Sequence, residues 1–149
     1  MPPDKSPHEM RAFNTPEHAQ KAVSTSRGCL ANLMPGRVWS HIAPRGEHEM
    51  KGALMLDGAP VVVLHFGADG SVLPRGLHAM AGCSEETVSL IEARLRQIPA
   101  QLSVLDGAEF REPEFCWAVP LAHEGRIVAH IKVSSDGSRI LPDKKAAAE

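Results

Sequence analysis

Apolar positions along this chain follow two different periods, and each predicts its own kind of element. Between Glu85 and Leu102 the residues Val88, Ile91, Leu95, Ile98 and Leu102 recur at alternating spacings of three and four, which places one buried stripe on a helix. Ser84 stands where an N-cap is needed, Glu85 and Glu86 occupy the positive end of the helix dipole, and Pro99 disturbs the last turn. A weaker helix is predicted from Thr15-Pro16-Glu17, with Thr as N-cap, Pro at the first helical position and Ala19, Ala22 and Val23 as its apolar face. Gly28 interrupts or ends it, and Leu30, Leu33 and Met34 form a further turn that Pro35-Gly36 stops.

Elsewhere the period is two. Ile127, Ala129, Ile131 and Val133 alternate with Val128, His130 and Lys132, the pattern of a strand with one apolar face. Val38 to Ile42 reads as a short strand followed by a polar loop, Ala43 to Glu49. Asp106-Gly107 marks a turn, Ala108 to Phe110 begins a strand, and Cys116 to Val133 completes a meander.

The strand pattern also occurs twice. Gly52 to Gly70 (GALMLDGAPVVVLHFGADG) aligns without a gap on Val119 to Gly137 (VPLAHEGRIVAHIKVSSDG), 67 positions later, and both copies run on into Ser-x-Leu-Pro or a near variant. Leu54 matches Leu121, Gly58 matches Gly125 and Asp69-Gly70 matches Asp136-Gly137, so turn residues and apolar beat are kept while most side chains change. A two-residue turn at Glu124-Gly125 scatters the apolar groups over both faces. A three-residue loop, His123 to Gly125 with Gly forming a bulge, gathers Trp117, Val119 and Leu121 with Ile127 to Val133. The same loop at Leu56 to Gly58 sets Leu54 with Val62, Leu64 and Phe66 and leaves Met55, Val61 and Val63 on the other face, so the first hairpin is expected to be covered on both sides.

The order helix, strands, helix, strands implies an α+β fold: an antiparallel sheet from two similar β-hairpins, with helices packed on the sheet around one apolar interior. Residues 1–14, rich in proline and charge, are expected to be disordered; residues 15–141 to form a single domain with the hairpin repeat at 52–74 and 119–142; and residues 142–149 to be a solvated tail. This order resembles the profilin-like sheets of roadblock-type, GAF and PAS domains, and CWAVPLAHEGRIVAHIKV is similar in texture to a GAF core hairpin. The long C-terminal helix usual in roadblock domains has no counterpart here. A duplicated helix-hairpin order resembling PepSY units is the alternative. Neither resemblance brings a functional signature with it.

Composition narrows the function classes. At 149 residues the chain is long enough for one domain with its own core. Three cysteines, Cys29, Cys83 and Cys116, lack CxxC spacing and imply free thiols in a reducing compartment. No apolar run has the length of a signal-peptide core or a membrane span, so the expected location is the cytoplasm. With a net charge of −2 and the two signs intermixed, nucleic-acid binding lacks its electrostatic term. The absence of tyrosine and the few Phe and Trp leave no aromatic platform for stacking bases.

The candidate chemistry lies in a scatter of soft and borderline donors: His48 and Met50 upstream, then His78, Met80 and Cys83. Imidazole, thioether and thiolate together suit copper or zinc, yet no H-x-H, HExxH or CxxC pair fixes two donors, and Met80 also reads as gap-filling core. Cys83 precedes an N-cap, where the dipole activates a thiol. Glu85 and Glu86 oppose that shift, and Cys83 with Val88 forms a hydrophobic staple. His65 and His130 fall on the less apolar strand faces, as surface or partly covered positions. Glu85-Glu86 fits helix capping, and Glu112 and Glu114 flank Pro113 in a loop. The resulting expectation is a non-catalytic binding or interaction domain for a partner protein, a second copy of itself or a small ligand. A soft-metal carrier or sensor, or a thiol enzyme built on Cys83, is the alternative.

Overall fold

The computed structural model describes residues 12–42, 48–77 and 84–148. Helix α1 (Pro16–Cys29) starts where capping chemistry puts it: the Thr15 hydroxyl accepts from the His18 amide at 3.2 Å, and Pro16 takes the first turn. The helix passes through Gly28 and tightens into a 3-10 turn at Leu30–Asn32. Helix α2 (Glu85–Gln97) is capped by Ser84, whose hydroxyl accepts from the Thr87 amide at 3.1 Å. Its predicted stripe is buried at Ile91, Leu95, Ile98 and Leu102, with Val88 half-buried, and Pro99 converts the last turn to a 3-10 turn, Ile98–Gln101.

Two antiparallel sheets complete the α+β fold. In the first, strands β1 (Met34–Ile42), β2 (His48–Leu56) and β3 (Ala59–Phe66) lie in that order. In the second, β6 (Cys116–His123) is the centre, with β7 (Arg126–Ser134) on one side and the short strands β4 (Ser103–Val104) and β5 (Glu109–Arg111) in succession on the other. Pro35-Gly36, expected to stop the chain, lies inside β1 as an irregularity of the edge strand, where proline is tolerated because no neighbour needs its amide.

Both hairpins turn on two residues, not three. Asp57-Gly58 and Glu124-Gly125 all have positive φ (50° and 83°; 52° and 80°), the type I′ turn that follows the twist of the strands. The parity shift required by the apolar pattern is supplied further on, by an additional residue inside each second strand. Leu54 pairs Val62 but Met55 pairs Pro60, leaving Val61 over; Leu121 pairs Ala129 but Ala122 pairs Ile127, leaving Val128 over. The matched bulges give Leu54, Val62, Leu64 and Phe66 one face in the first hairpin and Trp117, Val119, Leu121, Ala129, Ile131 and Val133 one face in the second. Ile127, beyond its bulge, is turned outward and is 39% exposed.

These faces join Ala22 and Val23 of α1 and Ile91 and Leu95 of α2 in one continuous core. Helix α2 lies against β1 and β2, and α1 against β6 and β7. The single sheet expected from the hairpins is divided, because among the described residues no ladder joins β3 to β7. Each strand is followed by a segment that turns back on it: Leu73 donates to the His65 carbonyl and Leu141 to the Lys132 carbonyl, both at 2.8 Å. Each segment then crosses over, Arg75 donating to the Ile127 carbonyl at 2.8 Å and Asp143 to the Pro60 carbonyl at 2.7 Å. The returning segments take up backbone groups with which the two strands would otherwise pair.

Residues 142–149, read as a solvated tail, are instead docked as far as they are described. Asp143 caps a short helix, α3 (Lys144–Ala148), its carboxylate accepting from the Ala146 amide at 2.9 Å. Ala146 is buried, and its carbonyl accepts from Arg37 at 3.2 Å. On the face of β2 and β3 opposite α2, Lys51 and Ala53 are buried and Met55 and Val63 half-buried, so the first hairpin is covered on both sides. At the other end of the chain, Phe13 packs edge-on against Phe115, whose ring meets Phe110 and through it Trp117. The remaining residues of the 1–14 segment, apart from Ala12 to Asn14, lie outside the described residues.

The turn after β7 has a pH signature. The Asp136 carboxylate accepts from the Ser138 hydroxyl (2.7 Å), the Ser138 amide (3.0 Å) and the Ser134 hydroxyl (2.7 Å), which hold its pKa well below the usual carboxylate range. A carboxyl depressed on folding contributes stability that is present above its unfolded pKa, about 3.9, and disappears as pH falls towards the folded value. Asp136→Asn is therefore expected to lower the urea midpoint at pH 7 and to make progressively less difference below about pH 4. A gap between the two proteins that is unchanged at pH 3 contradicts the assignment.

Candidate functional site

The alternation of β2, β3 and β7 assigns one set of side chains to the core and the complementary set to a groove on the opposite surface. Met50, Leu64 and Ile131 point inward, while Lys51, Val63, His65, His130 and Lys132 line a cavity of about 520 Å³ along the β3–β7 junction. A volume of this size accommodates a small molecule. Trp39 and His41 of β1, Arg75, Arg111 of β5 and the α3 segment also line it.

The lining is charged in one direction. Six basic residues, Lys51, Arg75, Arg111, Lys132, Lys144 and Lys145, stand against the three acids Glu49, Glu114 and Asp143. The whole chain carries −2, so its charge is segregated and the groove is its cationic region. Glu114 is occupied by Lys132 and, at 4.0 Å, by Arg111, and Asp143 caps α3. Arg75, Lys144 and Lys145 form no ion pair among the described residues.

Among the described residues of this groove, His130 carries a buried side-chain nitrogen whose bonding is incomplete. It lies mid-strand on β7, and its Nδ1 is shielded from solvent without a hydrogen-bond partner among the described residues. Burial lowers the imidazole pKa, and the charges of Arg75 and Arg111 lower it further against the weaker opposite pull of Glu109, so the ring is neutral near pH 7. Shielded polar atoms are nearly always bonded, and this nitrogen is closed off from the groove as well as from bulk solvent, so the ring meets the cavity through its other atoms.

The donor set of the soft-metal reading is not assembled by the described residues. Met50 is 1% exposed in the apolar core beside Phe66, its partner in the β2–β3 ladder, and His48 is exposed at the start of β2. His78, Met80 and Cys83 lie outside the described residues. Among those described, no three His, Cys, Asp or Glu side chains converge to hold a metal ion. Cys29 and Cys116 are free and buried, and burial raises both thiol pKa values, with Glu114 adding to the rise at Cys116; neither is activated as a nucleophile. Glu85 and Glu86 are in the first turn of α2, as their capping role requires.

The outward placement of His65 and His130 follows from the alternation of β3 and β7, but the basic residues around them were not legible as a group. Lys51, Arg75, Arg111, Lys132 and Lys144 are spread over more than ninety positions and belong to different elements. The one local signal was the run His130-Ile131-Lys132, which puts two nitrogen-bearing side chains on the outward face of one strand. Among the described residues no helix is long and apolar enough to cross a membrane. Compared with family models, with curated proteins and with solved structures, the chain matches none.

Proposed function

We propose that this chain is a non-catalytic binding domain whose site is the groove between its two sheets and whose ligand is a small molecule. The observation that carries this reading is a cavity of about 520 Å³ whose lining gathers six basic residues against three acids in a chain of net charge −2. A catalytic role has no comparable support, since the free thiols of the described residues are buried with raised pKa values. Self-association, as a second mode of binding, is supported by β1. Its outer edge carries no ladder among the described residues, and Met34 and Ile42 at its ends are 62% and 64% exposed.

Filling the groove tests the ligand reading. Val63 lines it and is half-buried in the middle of β3, so Val63→Trp is expected to occupy the cavity while leaving the opposite, core-facing side of the strand intact. A panel of charged and uncharged metabolites, screened by thermal shift, should contain compounds that stabilise the parent protein by several degrees and leave the variant unmoved, because only a ligand of the native state raises the midpoint. Compounds that stabilise both proteins alike, or no stabilising compound in the panel, count against the groove as the site.

A further inference from the structure

We infer that the ligand of this groove is a small multivalent oxyanion bearing phosphate or carboxylate groups, held by the guanidinium groups of Arg75 and Arg111. This rests on the groove being the binding site. The first support is the charge of the lining, which exceeds what its own acids neutralise: Arg75, Lys144 and Lys145 have no ion-pair partner among the described residues, while Glu114 and Asp143 are engaged. Like charges gathered in a concave surface repel one another and concentrate counter-ions, so their convergence favours an anion in the space between them. The second support is chemical fit. A guanidinium presents a planar fork of donors that matches two oxygens of a phosphate or carboxylate, and two guanidinium groups, Arg75 and Arg111, line the groove within electrostatic range of His130. The third is the imidazole of His130 in the same lining, which adds a further cation there when it is protonated.

A proton accompanies binding. In the empty groove burial disfavours the imidazolium most, Arg75 and Arg111 add to this, and Glu109 opposes them weakly. The other titratable groups lining the space are His41 on β1, His65 on β3, Glu49 and Lys51 on β2, Lys132 on β7 itself, Glu114 after β5, and Asp143 with its neighbouring lysines at α3. A bound anion offsets the arginine charges and raises the His130 pKa from its depressed value. Between the empty-groove and bound pKa values the complex takes up a proton, so affinity strengthens as pH falls through that window and is flat above it. The proton goes to a ring nitrogen of His130, and no other bond is made or broken.

Isothermal titration of the full chain with pyrophosphate, inorganic phosphate, citrate and succinate, at low salt in Pipes and in Tris, tests this. Saturable binding of a phosphate or a carboxylate is expected, the stronger arm identifying which group the groove takes, and raising the salt concentration should weaken it. Arg75→Gln, at an exposed position, is expected to weaken binding about tenfold or more, the scale of one charge-assisted contact. The heats in the two buffers should differ by a fraction of a proton taken up. That difference should fall in His130→Gln to the ligand's own proton exchange, since phosphates and citrate titrate near neutral pH, and persist in full in His65→Gln and His41→Gln. Equal affinity of Arg75→Gln and the parent overturns the proposal even where His130→Gln fails to fold, as does proton uptake unchanged in a folded His130→Gln. If uncharged compounds bind the parent and not Val63→Trp while all four anions fail, the groove remains the site and the oxyanion is wrong. If nothing binds, both readings fall.

Discussion

Gly137→Ala is expected to lower the unfolding free energy by about 3 kcal/mol, whereas Gly125→Ala, at almost the same backbone angle, should cost only about 1 kcal/mol. Both glycines have positive φ, +79° and +80°, so a side chain at either carries the left-handed penalty. They differ in what surrounds them. A Cβ on Gly125 meets nothing within 4 Å, but on Gly137 it comes within 2.8 Å of the His18 carbonyl oxygen and 3.0 Å of the Ala22 nitrogen. Those are backbone atoms of α1, which cannot swing aside as a flexible side chain does. The Thr25 hydroxyl, donating to the Gly137 carbonyl at 2.6 Å, holds the helix on the turn. Making room therefore means lifting α1 and with it the packing of Ala22 and Val23. Urea unfolding followed by the fluorescence of Trp117, which is buried in the same sheet, measures both variants. Midpoints for the two that agree within error contradict the close approach.

Leu95→Ala is expected to cost roughly 3 to 5 kcal/mol, a large share of the 5 to 15 kcal/mol that stabilises a domain of this size. Leu95 is fully buried at the centre of the α2 stripe, and α2 lies so close to β2 that a Cβ on Gly52 would meet Leu95 Cδ1 at 3.0 Å. Truncation leaves a cavity between helix and strand. Leu90, on the same helix but 43% exposed, serves as the control: Leu90→Ala keeps the Cβ that touches Gly70, and its loss should stay within about 1 kcal/mol. Thermal unfolding of both variants checks the contrast. A Leu95→Ala protein that melts within a degree or two of the parent rules out α2 as a core element.

The elements legible in the sequence were those specified by neighbours in the chain. Helix α2 was readable because Ser84, Glu85 and the stripe from Ile91 to Leu102 lie within one stretch, and the hairpins because Asp57-Gly58 and Glu124-Gly125 interrupt alternating runs. The turn length was misread for a physical reason. An extra residue restores the facing of the apolar side chains equally well in the loop or inside the strand, and the pattern of faces does not say which. The positive-φ pair chose the type I′ turn and moved the irregularity to Val61 and Val128. Strand β4, two residues long, and the docking of α3 left no periodic trace, since neither is long enough to show one.

By itself the sequence determined the α+β class, the two similar hairpins, the helix caps and most of the core, Ile127 and Val61 excepted, because capping, turn chemistry and hydrophobic period act over a few residues. Tertiary structure alone decided that the hairpins belong to two sheets, that segments 71–75 and 139–143 return between β3 and β7, and that a groove opens there. It also decided that basic residues from β2, β5, β7 and α3 share that groove, in a chain whose total charge is slightly negative. Coulomb interactions depend on distance in space, and net charge and local motifs do not record which side chains folding brings together.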